Sequence, residues 1–445
     1  MTQKNAAIAP FEPAELWHFE SSEGPIRLPT RLSGGCLAYA TFHGLPIGFH
    51  HFRGSDLEDP DDSLNKFEAM VAEGEATHRS TRDDPVSAQN LDGDSDTPPC
   101  ARERSCLLSD PPPITVVIPT KDRPERLRRC LTSIQAAEYP STKVAVIVVD
   151  NASATDETRH VVDEFQLQLN VRYAREDLSG SASARNCALP LVETEFIAFT
   201  DDDALVDRYW LSEIVRTFQM YSSAACVTGL LLPRSIDTPA QLWFEEWGGF
   251  SRGFAQREFR LDTPEPESPL YPYAAGILGT GNNMAFRTGD LLDIGGFCNA
   301  LGNGTPALGG VDSEVLLRTV LLGRTIVYQP SSLVWHEHRR TYEGLRTQLY
   351  NYGVGTTAYL AKTMLDDPKR MGALLKRVPD GIRFALSPDS SRNSNRGDSF
   401  PPELARLEVL GMLYGPLAYA RSRFAYGKHN IPFRPNKSRG VNRAE

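Results

Sequence analysis

The sequence predicts an α/β protein built on a doubly wound, mostly parallel sheet flanked by helices, with a small β unit before it and a helical extension after it. Three observations carry this prediction. β-branched apolar runs at 115–119 and 144–149 show no polar alternation, as strands covered on both faces require. Between such runs lie segments with apolar residues at helical spacing. The order strand, helix, strand then repeats as far as residue 218, which implies parallel strands joined by right-handed crossovers.

Taken in order, residues 1–53 read as a small N-terminal β unit. Its apolar runs Cys36 to Phe42 and Leu45 to Phe49 are separated by a His43-Gly44 turn signal. Residues 54–112 read as an acidic disordered linker, with one short helix near Phe67 to Val71, because acidic residues outnumber basic ones about threefold and periodicity is weak. The α/β domain is placed at 113–345. Its first strand covers Thr115 to Pro119. Asp122 is expected to cap the following helix with Glu125 three residues on, ahead of Leu127, Cys130, Leu131 and Ile134. A buried strand follows at Val144 to Val149, a helix face at Val161, Val162 and Phe165, and a short strand at Val171 to Ala174. Ala182 to Leu191 reads as a helix, Phe196 to Thr200 as a strand, and Trp210, Leu211, Ile214, Val215 and Phe218 as an amphipathic helix. Residues 346–445 read as a helical extension with a basic tail, since the apolar stretch Leu407 to Ala420 precedes a cationic end. From Asp366 onward there are 15 Lys plus Arg against 8 Asp plus Glu. That charge suits peripheral contact with a membrane surface; the alternative is a helix packed on the domain with a solvated tail.

At 445 residues the chain exceeds one ordinary core, and 40% apolar with 23% charged residues is a soluble globular balance. A net charge of -10 argues against a nucleic-acid partner while leaving room for a small phosphate-bearing ligand. The seven cysteines, at 36, 100, 106, 130, 187, 226 and 298, show no pair at the two-residue spacing of zinc or redox sites. Cys130 lies on a core face, and the dispersed odd set suggests a reducing compartment. Residues 1–10 lack a basic segment followed by an apolar run, and no window approaches about 18 uninterrupted apolar residues. A cytoplasmic location is expected, with peripheral association at the inner face of the membrane through the basic C-terminal segment.

Doubly wound sheets bind ligands at the carboxyl ends of their strands. There, Phe196 to Thr200 delivers Asp201, Asp202 and Asp203, whose mutual repulsion and desolvation call for a compensating cation. Mg2+ or Mn2+ fits, because hard cations take oxygen ligands and bridge phosphates. Asp150 also ends a buried strand; it can bond a base or ribose, or cap the next helix. Gly180 to Asn186 opens a helix with small residues and Arg185, which suits a diphosphate. Gly309 to Glu314 leads into the helix Val315 to Leu322 with Asp312 and Glu314, for which a helix-dipole role is the alternative. His336 and His338 alternate at the end of a strand, so both rings are expected on one surface. Gly279 to Asn283 reads as pocket or turn, and Trp335 as a sugar-stacking or a core indole.

Together these motifs resemble, in order and spacing, family 2 glycosyltransferases of the GT-A fold over roughly 115–345. The resemblance implies an inverting, metal-dependent hexosyl transfer from a nucleotide sugar, expected to be a UDP-sugar, to a carbohydrate, lipid-linked or other glycan acceptor. It assigns Pro119, Thr120, Asp122, Asp150, Arg185, Asp201 and Asp202 to the nucleotide-sugar, with Thr120 and Asp150 near the base and Arg185 near the diphosphate. Asp203 and His336 become ligands of Mn2+ or Mg2+, and Asp312 the general base. Family members commonly carry Glu-Asp after the paired glycines, where this chain has Val311 then Asp312, which puts an acceptor contact in question. The competing readings are a non-catalytic nucleotide-sugar binder, a sugar nucleotidyltransferase lacking its Gly-rich arginine loop, and a haloacid-dehalogenase-type phosphatase using Asp201 and Asp203.

Overall fold

The computed structural model describes residues 11, 13–27, 35–53, 56, 61–82, 97–263, 268, 270–387, 396 and 400–427. The expectations for the N-terminal ten residues and for the basic tail after 427 lie outside these. Strands β1 (Ala14–Glu20), β2 (Gly35–Phe42) and β3 (Leu45–Phe52) form a three-stranded sheet, with β1 parallel and β3 antiparallel to the central β2. The turn falls at His43 and Gly44, both at positive φ, as a two-residue hairpin connection requires.

The stretch 54–112 is not the linker expected. It contains helix α1 (Asp61–Arg82) and helix α2 (Pro99–Ser109). Phe67 and Val71 of α1 are buried against Ala38, Ile47 and Phe52 of the small sheet, while Asp61, Asp62, Glu68 and Glu73 face solvent. The acidic composition is that of one helix face, and the sparse apolar residues suffice for the other.

Among the described residues the main sheet has nine strands in the order β10-β12-β9-β11-β7-β4-β5-β6, with β8 on β12. Its parallel part is β4 (Ile114–Thr120), β5 (Val144–Asn151), β6 (Asn170–Glu176) and β7 (Phe196–Phe199). Antiparallel β11 (Met284–Arg287) links β7 to β9 (Ala224–Pro233), which pairs in parallel with β12 (Thr325–His336); β8 (Ala204–Val206) and β10 (Arg257–Phe259) lie antiparallel on β12. Two antiparallel steps restore direction, so β4, β5, β7, β9 and β12 all end on the same edge. Helices α3 (Pro124–Gln135), α4 (Glu157–Phe165) and α6 (Trp210–Met220) cover one face, through Leu127, Val161 and Phe218. Helices α5 (Ser181–Ala188) and α9 (Val311–Leu321) cover the other, through Ala184 and Leu316. The C-terminal region is helical: α10 (Tyr342–Asp366), α11 (Met371–Leu386) and α12 (Pro402–Tyr426). Among the described residues no helix is long and apolar enough to cross a membrane.

One local expectation gives way and one open choice is decided. Asp122 does not cap α3, whose N-cap is Arg123. Asp122 adopts φ 51° and its carboxylate accepts the Ala154 N–H at 2.7 Å, clasping the β4–α3 and β5–α4 loops. Of its two readings Trp335 takes the core one. It packs edge-on against Tyr39, centroids 4.9 Å apart, where the small sheet meets β12.

Candidate active site

The strand ends border a cleft of about 1790 Å3, whose lining includes Pro119, Thr120, Asn151, Arg185, Asp201, Asp202, Asp203, Asp312 and His336. Small-molecule sites usually occupy about 300–1,000 Å3, so there is room for more than one reactant.

The three aspartates have different partners. Asp202 is nearly fully buried, accepting from Thr120 Oγ1 at 2.8 Å and Arg123 Nη1 at 3.1 Å. Asp201 accepts from Arg185 Nη2 at 2.9 Å. Asp203 lies 3.4 Å from Arg126 Nη1, 3.6 Å from Arg123 Nη1 and 3.5 Å from His336 Nε2. Burial pushes the Asp202 carboxyl up, and the neighbouring Asp203 charge adds to this against Arg123. Burial likewise raises Asp201, opposed by Arg185. Burial also acts upward on Asp203, but His336, Arg123 and Arg339 outweigh it and hold this carboxyl well below the usual range. Asp203 is therefore the member of the trio whose surroundings most favour negative charge.

Behind Asp203 runs a chain of rings. His336 Nδ1 meets His338 Nδ1 at 3.0 Å, and His338 Nε2 meets Glu245 Oε1 at 2.7 Å. Burial pushes the His338 ring toward neutrality despite Glu245. Its Nε2–H then donates to Glu245, so its Nδ1 accepts the Nδ1–H of His336. His336 Nε2 then faces Asp203 Oδ1, as the N–H of an imidazolium paired with the carboxylate or, when the ring is neutral, as a second acceptor that a cation would join to it. The expected common surface for both histidines is thus not seen: β12 ends at His336, and His338 sits behind it as its support.

Asp312 stands in the first turn of α9, its Oδ2 accepting the Gly281 N–H at 3.0 Å. Its placement rests on Gly310, at φ 79°, where an added Cβ would lie 2.5 Å from the Gly355 carbonyl of α10. Val311 turns its side chain into the core. Glu314, one turn on, is structural. Fully buried, it bonds Arg318 Nε and Nη2 at 2.9 Å and pairs with Lys362 Nζ at 2.8 Å. Glu314→Ala removes the buried counter-charge shared by Arg318 and Lys362, which keep only the Ile294 and Gly296 carbonyls and Asp366, and is expected to cost about 3 kcal/mol of stability by denaturant titration; a cost under about 1 kcal/mol would contradict this.

Asp150 and Asp122, expected at the nucleotide, do not line the cleft. Asp150 is wholly buried and its oxygens are consumed by Ser153 N, Tyr173 Oη and Arg175 Nη1 at 3.1, 2.7 and 3.0 Å. The stretch 279–283 divides its labour: Gly281 meets Asp312, whereas Asn283 is buried, bonding Leu230 O, Ser332 O and Trp210 Nε1. Sequence reasoning missed Arg123, Arg126 and Glu245. Three cations within Lys121 to Arg126 at a helix start, where the dipole disfavours them, were the available signal for the arginines; Glu245 left none.

The fold and site define a doubly wound α/β ligand-binding domain with an acidic cleft at its strand ends. Residues 115–263 match the family model described as glycosyl transferase family 2. It is 27% identical over 248 residues to the pre-mycofactocin glycosyltransferase of Mycobacterium tuberculosis, covering 56% of this chain and 47% of that one. It is 28% identical over 278 residues to the succinoglycan biosynthesis protein ExoM of Rhizobium meliloti, covering 61% and 78%. The mannosyltransferase PcManGT from Pyrobaculum calidifontis, solved with GDP-Man and Mn2+, is similar over 73% of this chain and 79% of that chain, with 20% identity and a TM-score of 0.41. The chain thus spans about half the length of the first of these relatives.

Proposed function

We propose that this protein transfers a sugar from a nucleoside-diphosphate sugar, a UDP-sugar in the first instance, to an acceptor hydroxyl with inversion. The observation that carries this reading is the graded acidic rim: Asp203, held ionised beside His336, faces the same cleft as Asp312. The relatives' names, all glycosyltransferases or polysaccharide-biosynthesis proteins among those cited, support the class of reaction.

The residues fit a divalent cation. With the His336 ring neutral, Asp203 Oδ1 and His336 Nε2 are two acceptors turned toward each other, the imidazole being oriented by His338 and Glu245 as metal-bound histidines usually are. When bound there, Mn2+ or Mg2+ would neutralise charge growing on the departing diphosphate. Arg123, Arg185 and Arg339 line the cleft beside it and are placed to pair diphosphate oxygens. Asp312 takes the proton of the acceptor hydroxyl as that oxygen bonds to the anomeric carbon. The bond to the diphosphate breaks on the opposite side, giving the inverted glycoside, a nucleoside diphosphate and a protonated Asp312.

The acceptor side of the cleft is apolar. Met371, Leu375, Val378 and Ile382, all exposed, form one stripe along α11, and the last three line the cleft with Leu413 of α12. Lys376, Arg377 and Arg383 share that helix. This arrangement favours an acceptor carrying a lipid, presented at a membrane surface.

A screen of nucleotide sugars by thermal melting with and without Mn2+ tests the donor, followed by turnover on soluble and on detergent-dispersed lipid-linked acceptors. A donor at a hundred times its Kd adds about 2.7 kcal/mol to the native state, and Mn2+ is expected to be needed for the full shift. Binding without any turnover would favour the non-catalytic binder, and a preference for soluble acceptors would reject the lipid.

A further inference from the structure

Away from the cleft, three residues distant in sequence converge where the small sheet, α1 and α2 meet. His43 occupies the β2–β3 turn, His78 lies near the end of α1 and Cys100 in the first turn of α2. His78 and Cys100 are buried, at 6% and 1% exposure. One ligand atom from each of the three lies within 4.8 Å of the others. We propose that His43, His78 and Cys100 are a zinc site that pins the N-terminal sheet to the α/β domain.

The geometry suits that ion. Zinc holds sulfur at about 2.3 Å and imidazole nitrogen at about 2.0–2.1 Å, so at a tetrahedral angle the two ligand atoms sit about 3.5 Å apart. Cys100 Sγ and His43 Nδ1 are 3.4 Å apart. The two imidazoles are nearly perpendicular, at 81° with centroids 5.3 Å apart, as rings radiating from one point can be. A thiolate and two imidazoles form a softer donor set than the carboxylates of the cleft, and select zinc where those select Mg2+ or Mn2+. Water would complete four-coordination.

The surroundings hold the ligands in place. Glu20 accepts the main-chain N–H of both His43 and Gly44 at 2.9 Å, and Phe42 stacks on His43 with centroids 3.9 Å apart. An added Cβ on Gly44 would lie 2.9 Å from the Tyr209 ring, so the turn abuts the residue before α6. Arg104 bonds His43 O at 3.4 Å and stacks on Tyr209 at 3.6 Å. Only β8 and a short turn separate Tyr209 from Asp203, so the pinned junction buttresses the segment carrying the acidic rim.

The test is metal analysis of the full chain purified without chelators, expected to give about one zinc per chain. Stripped protein titrated with Co2+ should develop the near-ultraviolet band of a thiolate ligand. Cys100→Ser and His78→Gln should each lose the band and bind zinc at least about tenfold more weakly, since a ligand should matter no less than its outer partners. Cys106→Ser, altering an exposed thiol, and Asp203→Ala should keep both, which separates this site from the metal proposed in the cleft. If the Cys100 or His78 variants do not fold, zinc-edge X-ray absorption of the unmodified chain decides, one sulfur with two imidazole nitrogens being expected. Protein that takes up neither metal, a band surviving Cys100→Ser, or a sulfur-free zinc shell would overturn the assignment.

Discussion

Asp312→Asn is expected to lower kcat by about 10² to 10⁴-fold, the usual contribution of a positioned general base. Nucleotide affinity should be nearly unchanged. The substitution is chosen because the amide oxygen can still accept the Gly281 N–H that Asp312 Oδ2 accepts at 3.0 Å, so the loop across the cleft keeps its tether. What disappears is the capacity to take a proton. In barrier terms the loss is about 3–5 kcal/mol, larger than any one neutral hydrogen bond supplies. Rates under saturating donor and acceptor, with the donor Kd measured separately, decide the matter. Near-normal turnover removes Asp312 from the chemistry. A parallel loss of donor affinity would instead make it a binding residue.

The legible part of this protein is the part in which neighbours in sequence are neighbours in space. The unalternated runs ending at Thr120, Asp150 and Thr200 announce buried parallel strands, and the direction of a parallel strand dictates which end of it faces a ligand. Asp201 to Asp203 follow from that alone, whereas Asp312 rests on the Gly309 to Glu314 motif and on the family resemblance. Asp150 shows the limit of the same rule. It stands at the right end of the right strand, but Arg175 and Tyr173 of the adjoining β6 consume its carboxylate, and strand neighbours do not announce such pairings. Helix α1 was obscured for a different reason: a helix covering a small sheet needs only a few apolar residues, and a count dominated by its solvent face reads as a linker. The histidine and cysteine cluster was obscured most completely, since its members lie on three separate elements and match no local spacing.

The same long-range contacts shape the second large effect, that of Asp203→Ala. An acidic trio invites the view that only a metal can make its burial tolerable, yet Arg123, Arg126 and Arg185 already supply positive charge around it. Metal-free affinity for a nucleoside diphosphate should therefore survive the substitution, or improve as Arg123 and Arg126 lose a competing carboxylate. The increment due to Mn2+ should vanish, because His336 Nε2 alone cannot replace a two-ligand site. A fall of tenfold or more in the ratio of affinities with and without Mn2+ corresponds to about 1.4 kcal/mol or more. Titration calorimetry of the two proteins with nucleoside diphosphate, each with and without Mn2+, separates these effects. Equal loss in both conditions would mean that Asp203 organises the arginines rather than a metal ion. An undiminished Mn2+ increment would show that the ion, if it binds, is held elsewhere on the rim.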